Sequence, residues 1–336
     1  RSTQAKTLFP YTTLFRSARD APAEAPPLDT KAIDEDLPGY QRLHARHVAQ
    51  ARQADLLASF NSDGEEGPGN LARLLSCACR PASLWLDVLP TSTALQLSDA
   101  DFKSAMRLRL GVSQMPANAP GLQCTCGRRI QVRDKDHAMS CKALSGAMTL
   151  RHEILKGTWR RIANRAGIAS SAEPAMRSLP GVQASAVANS PESRGDILMV
   201  LPDGLTVTDV SVIHPAAASY VRAARVEGGA AASRDQVKRA QYSSADPNGY
   251  AFVPLSVETF GRLGKPAMEL LNQLATTAAS GGTARKDCFV IGALKELSVA
   301  LCRGNGFVLR RSLGVLARVA GTSFLMGMTV PTSEIP

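Results

Sequence analysis

No run of 18 or more apolar residues occurs anywhere in the 336-residue chain, so no helical membrane span is expected. The cysteines do not suit a secreted disulfide framework either. Seven is an odd number, and they fall as two close groups, Cys77/Cys79 and Cys124/Cys126/Cys141, with Cys288 and Cys302 apart. That spacing fits a reducing compartment and a metal site. An excess of acid is also missing. Lys and Arg number 39 against 29 Asp and Glu, a formal charge of +10, which favours a polyanionic partner without demanding one. What is present, 44% hydrophobic residues over this length, is enough for two modest domains.

The sequence has no initiator methionine, and Thr7–Ser17 resembles a translated sequencing-library adapter. Residues 1–17 are therefore set aside from fold reasoning, and the expectation is a carboxyl-terminal fragment of a longer protein. They carry Arg1, Lys6 and Arg16 and no acid, so the rest of the chain keeps +7 of the +10. Residues 18–70, rich in Ala, Pro, Asp, Glu and Gly, predict a largely disordered linker with one polar helix over Gln41–Phe60. A helical segment is expected over 71–112, with Ser98 as an N-cap, Asp99 and Asp101 in the positive first turn, and Gly111 as the stop. Lys103, Arg107 and Arg109 on that helix read as a solvated face or as phosphate contacts.

Residues 113–142 hold Cys124, Cys126, His137 and Cys141 in a C-x-C-x10-H-x3-C arrangement. Thiolates and an imidazole are the donors tetrahedral Zn²⁺ takes, and four protein ligands make such a site structural, with no open position for catalysis. The bland alternative is reduced cysteines beside a surface histidine. Arg128 and Arg129, between the ligands, are candidate nucleic-acid contacts.

Over 143–283 the pattern predicts a compact mixed α/β core in the order α-β-β-β-α-β. A helix over Ala143–Ala166 ends at Gly167, and a strand over Ile168–Glu173 ends at Pro174. Two apolar runs then flank Pro202-Asp203-Gly204, a hairpin signature. Each arm carries one aspartate, and a carboxylate in an apolar strand is costly unless compensated. With Leu201 opposite Gly204, Asp196 falls opposite Asp209 on one face; a three-residue loop with a bulge would separate them. Two carboxylates that close raise each other's pKa unless a cation lies between them, and Mg²⁺ is the natural candidate. Glu173 is a possible third ligand, whereas His214, at a strand end, reads as structural. A helical region from Ser219, loosened at Gly228-Gly229, carries Lys238 and Tyr242 one turn apart. A strand over Tyr250–Val257, with Pro254 marking an edge or bulge, and a helix over Lys265–Ala278 complete the core. Residues 284–336 read as two amphipathic helices, Val290–Cys302 and Phe307–Ala320, and a tail.

Arg-Gly-Asp-Ile, twelve residues, Asp-Val-Ser-Val, then Lys-x-x-x-Tyr on a helix resembles the restriction-like endonuclease of non-LTR retrotransposon polyproteins. The Asp136–Cys141 and Val257–Gly264 stretches are similar to segments of the same proteins, so the resemblance spans roughly residues 80–330. It implies a PD-(D/E)XK-type fold behind a zinc knuckle-like motif, and a Mg²⁺-dependent endonuclease that nicks target DNA in the nucleus. Asp196 and Asp209 would be the metal-binding carboxylates, Lys238 the catalytic lysine, Tyr242 its companion and Arg194 a nucleic-acid contact. Two residues depart from the pattern: Gly195 stands in place of proline, and Ser211 where ordinary members carry lysine. DNA and element RNA are the partners the resemblance implies. A reverse transcriptase is expected upstream, since no polymerase signature of paired aspartates is present. The rivals are a catalytically inactive nucleic-acid-binding fragment of a decayed element and a Holliday-junction resolvase, which shares this fold.

Overall fold

The computed structural model describes residues 37–62, 64, 66–115, 121–176, 179, 194–242 and 250–320. The adapter-like segment, the stretch before Leu37, residues 177–193 apart from Leu179, and the residues beyond Ala320 lie outside them. Two units separate, residues 1–67 and residues 68–336. In the first, α1 spans Leu37–Ser62 and contains the polar helix expected over Gln41–Phe60, extended at both ends into what reads as linker. The segment is dense in Ala, Gln, Arg and Leu, which favour helix without any apolar stripe. In the second, order starts at α2, Gly67–Cys77, and a 3-10 stretch over Arg80–Asp87 leads to α3, Asp99–Leu110. Ser98 caps α3 by accepting from the Asp101 N–H, and Gly111 closes it at φ 65°. Arg107 and Arg109, both half-buried, donate to the carbonyls of Ser113 and Ala82.

The sheet region runs α-β-β-β-α-β, in the order read from the sequence. Its elements are α4 (Ser145–Arg165), β3 (Ser170–Ala172), β4 (Ile197–Leu201), β5 (Gly204–Ile213), α5 (Gly229–Tyr242) and β6 (Ala251–Glu258). A separate two-stranded ladder, β1 (Leu122–Gln123) and β2 (Arg129–Ile130), frames the cysteine motif. The four-stranded sheet is ordered β3-β4-β5-β6, antiparallel except for the parallel β5–β6 pair. Pro254 sits on the edge strand β6, where its missing N–H does no harm. β5, the longest strand, lies between β4 and β6 and holds Asp209 mid-strand. Between Pro215 and Gly228 the expected helix is instead turns and a 3-10 piece at Ala223–Arg225.

The core lies where α4 and two later helices, α6 (Lys265–Ser280) and α7 (Lys286–Ala320), cover the sheet. Leu155, Trp159 and Ile162 of α4 meet Ile197 and Met199 of β4, Leu255 of β6, and Leu271 and Leu274 of α6, all essentially without solvent exposure. Truncating any of the larger ones costs about 3–5 kcal/mol.

α7 corrects the two-helix reading of the carboxyl-terminal region, because it runs unbroken through Arg303-Gly304-Asn305-Gly306. The glycines serve packing here. A Cβ at Gly304 would stand 2.5 Å from Arg151 Cγ and 3.2 Å from its Cα, and one at Gly306 would strike Asp101. Helix propensity alone predicts that Gly→Ala stabilises by about 1 kcal/mol. On this helix the sign should depend on position. Gly292→Ala, with nothing within 4 Å of the new methyl, should raise the urea midpoint. Gly304→Ala should lower stability by about 1–3 kcal/mol through overpacking. Two shifts of the same sign would refute close α4–α7 contact as the reason for the glycine.

Candidate functional site

The hairpin turn is the two-residue form. Leu201 pairs with Gly204 and Ile197 with Thr208, so the register is the symmetric one. Asp196 lies just before β4, where its N–H donates to the Thr208 carbonyl at 2.9 Å. Gly195 has a stronger reason to be glycine than backbone shape, since any side chain there would run into Val207.

Asp196 and Asp209 both line one open cleft of about 610 Å³, together with Arg151, His152, Arg234 and Lys238. Asp209 is buried and gathers three partners. Its Oδ2 accepts from Lys238 Nζ at 2.8 Å and from the Tyr242 hydroxyl at 3.1 Å. Its Oδ1 accepts from Ser211 Oγ at 3.2 Å. Lys238 and Tyr242 reach the same oxygen because they lie four residues apart on α5, which packs over β5. Tyr242 stacks on Phe252 with centroids 4.2 Å apart, and its single hydroxyl proton is shared between Asp209 Oδ2 and the Arg194 carbonyl, each at 3.1 Å. Burial, reinforced by the Asp209 charge, holds the tyrosine pKa well above its ordinary value, so the hydroxyl stays a donor.

Asp196 uses a different set. Its Oδ2 accepts from the Val210 N–H at 2.6 Å, and its Oδ1 lies 3.1 Å from His152 Nε2. The Asp196 hydrogen bond, opposed by partial burial, raises the His152 pKa above its usual value. No sequence pattern ties His152 to the site, since it lies forty-four positions from Asp196 and only α4 packing on the sheet joins them. Glu173 takes no part. Its carboxylate pairs with Lys156 at 2.8 Å and is half exposed, and the residue is absent from the cleft wall.

The donor set fits Mg²⁺ in kind: one or two carboxylates with room for retained water is how that ion is bound. Each carboxylate oxygen, though, already accepts from the chain itself, so a cation must compete with Lys238 for Asp209 and with His152 for Asp196.

A second group lies in the cysteine motif. The ligand atoms of Cys124, Cys126, His137 and Cys141 lie within 4.8 Å of one another, and no other such group occurs among the described residues. Cys124 Sγ and Cys141 Sγ are 3.7 Å apart, and Cys126 Sγ is 3.6 Å from His137 Nε2. Tetrahedral zinc, with Zn–S of about 2.3 Å and Zn–N of about 2.0 Å, sets its ligands about 3.5–3.8 Å apart. The cluster can therefore hold a metal such as zinc. Burial pushes the Cys141 thiol up to about 12, so without a cation it keeps its proton. Of the expected nucleic-acid contacts, Arg128 is exposed and pairs with Asp134 at 2.7 Å. Arg129 is exposed and packs over Gly121. Arg194 is exposed at the start of the Asp196 arm.

His214, at the end of β5, is structural in its contacts. Nδ1 is 2.8 Å from Thr259 Oγ1, and the ring tilts against Phe260. Arg73, Arg151 and Asp136 face it, and burial holds its pKa at about 4. Between about pH 4 and the unfolded value near 6.5, the unfolded chain binds the extra proton, so stability falls as pH falls through that window. The expected loss is on the order of 3 kcal/mol from pH 6.5 to 4. Urea midpoints at both pH values should show it, with a much smaller difference for His214→Gln. An equal pH dependence in the two chains would remove His214 as its source.

No protein-family model matches the chain, and no curated protein matches it.

Proposed function

We propose that the cleft is the active site of a Mg²⁺-dependent DNA endonuclease of the restriction-like kind, belonging to a retroelement protein that acts on nuclear DNA. The observation that carries the reading is the convergence of Lys238 and Tyr242 on one oxygen of Asp209, inside the cleft that also holds Asp196. The α-β-β-β-α-β order with a mixed sheet, and the Cys/His cluster just upstream, support it.

Asp196 and Asp209 would hold the ion. When bound, Mg²⁺ supplies Lewis-acid activation of a water nucleophile and neutralises charge on the scissile phosphate. Lys238, released from Asp209, faces the phosphate and stabilises the negative charge that develops in the transition state. Tyr242 keeps its proton and holds Asp209 in place, while its bond to the Arg194 carbonyl fixes the entry to the Asp196 arm. The Val210 N–H and His152 orient the Asp196 carboxylate. Arg128, Arg129 and Arg194 contribute the sequence-independent attraction for DNA.

Supercoiled plasmid incubated with the purified chain and Mg²⁺ tests the reading. Nicked circles should accumulate, and Asp196→Ala should abolish them. The rival, a binding fragment without activity, is favoured by the complete internal pairing of both carboxylates. It would give salt-sensitive duplex binding with no metal-dependent nicking.

A further inference from the structure

The cleft contains a cation that the nuclease chemistry does not use. Arg234 lies on α5 one turn before Lys238, so the two side chains start about 6 Å apart along the helix axis. Both line the cleft. Arg234 Nε donates to Ser211 Oγ at 3.3 Å, and Ser211 Oγ in turn donates to Asp209 Oδ1 at 3.2 Å. With Nε held, the guanidinium plane is fixed, and among the described residues its two terminal nitrogens have no protein partner. Such a fork matches two oxygens of a phosphate in a way a lysine ammonium cannot.

Resting on the nuclease reading, we propose that Arg234 clamps the phosphate next to the scissile one on the same polynucleotide strand. The spacing is the reason. Lys238 stands at the reacting phosphate beside Asp209, and Arg234 stands one helical turn further along the wall, about one nucleotide step of backbone. Ser211 connects the two positions, since it touches the metal-binding carboxylate with its hydroxyl proton and the clamp with its lone pair. This gives a use to the residue that stands in the lysine position of ordinary members. Arg234 thus sets which phosphate enters the reacting position and takes no part in bond breaking.

The test is the salt dependence of binding, measured on the full chain without added Mg²⁺, using a fluorescein-labelled DNA duplex and anisotropy. One lost phosphate contact lowers the log–log salt slope by about 0.9. Arg234→Gln should therefore shrink the affinity lost between 50 and 200 mM salt by about 3.5-fold. Arg234→Lys, which keeps the charge, should retain the slope while nicking at a raised KM. Ser211→Ala should also retain the slope. Arg234 is only half buried, and melting temperatures close to wild type are expected for all three. Sodium phosphate at matched ionic strength should leave the duplex bound. Release by phosphate would mean a free-anion site and overturn the strand assignment. An unchanged slope in Arg234→Gln, with nicking intact, overturns the clamp alone. A wild-type chain with no salt dependence overturns the nucleic-acid reading together with it.

Discussion

Asp209→Asn should reduce Mg²⁺-dependent nicking by roughly 10³-fold, the loss that follows from removing several kcal/mol of metal-based transition-state stabilisation at 1.36 kcal/mol per tenfold. The amide is isosteric with the carboxylate: with its one carbonyl oxygen at the Oδ2 position Tyr242 still donates to it, and Ser211 Oγ, facing the amide NH2, turns from donor to acceptor. What disappears is the charge that a divalent ion and Lys238 compete for. The side chains of Lys238 and Asp209 are 12% and 10% exposed, so an ammonium left beside a neutral partner should cost about 1–3 kcal/mol of stability. The chain therefore remains folded, and circular dichroism melts separate lost chemistry from lost structure. Lys238→Met alone should also be severe, but added to Asp209→Asn it should do little more, because groups acting as one unit are not additive. Tyr242→Phe should fall well short of either, since Asp209 Oδ2 keeps its Lys238 contact. Nicking by Asp209→Asn within threefold of wild type would remove Asp209 from the reaction.

The parts of this site that sequence makes legible are those with a short-range cause. Pro202-Asp203 makes the turn, alternation then sets the register as far as Ile197 opposite Thr208, and Asp196, one residue beyond, lines the same cleft as Asp209. Helical spacing likewise brings Lys238 and Tyr242 to one side of α5. His152 and Arg234 are invisible at that level. Each acquires meaning only from packing: α4 across the sheet for His152, and α5 over Ser211 for Arg234. The misread helices share one cause. Glycine pairs at 228–229 and at 304 and 306 look alike as punctuation. The first does begin a helix, at Gly229, whereas the second sits inside α7, where small residues let Arg151 and Asp101 approach the backbone.

Removal of metal from the Cys/His cluster should unfold residues around 121–144 while leaving the four-stranded sheet folded. The purified chain should carry one equivalent of zinc by elemental analysis, and uptake by metal-free protein should release protons, since the Cys141 thiol holds its own without a cation. Structural zinc in small motifs is worth roughly 10–16 kcal/mol in apparent binding energy, far more than two two-residue strands and a few 3-10 turns supply. The apolar residues here form their own cluster, with Leu122, Ile130, Met139 and Leu144 resting on Leu309 and Leu313 of α7. Trp159, Ile197, Met199 and Leu271 belong to a different one. Chelation should thus raise hydrogen exchange in the motif first, with β4 and β5 protected until much later. Cys141→Ser, at a buried ligand, should act like chelation, whereas Cys126→Ser, at an exposed one, should be milder. The loss should still reach the cleft. Asp136, next to His137, is bonded to Arg73 of α2 and lies 3.9 Å from His214 at the end of β5. Freeing that segment loosens the strand end that presents Ser211 and Asp209. Nicking by the chelated chain should then fall several-fold on restoring Mg²⁺ alone and recover on restoring zinc. Exchange rates that rise equally in motif and sheet would mean that the cluster holds up the whole fold. Rates that do not rise at all would mean that it holds no metal.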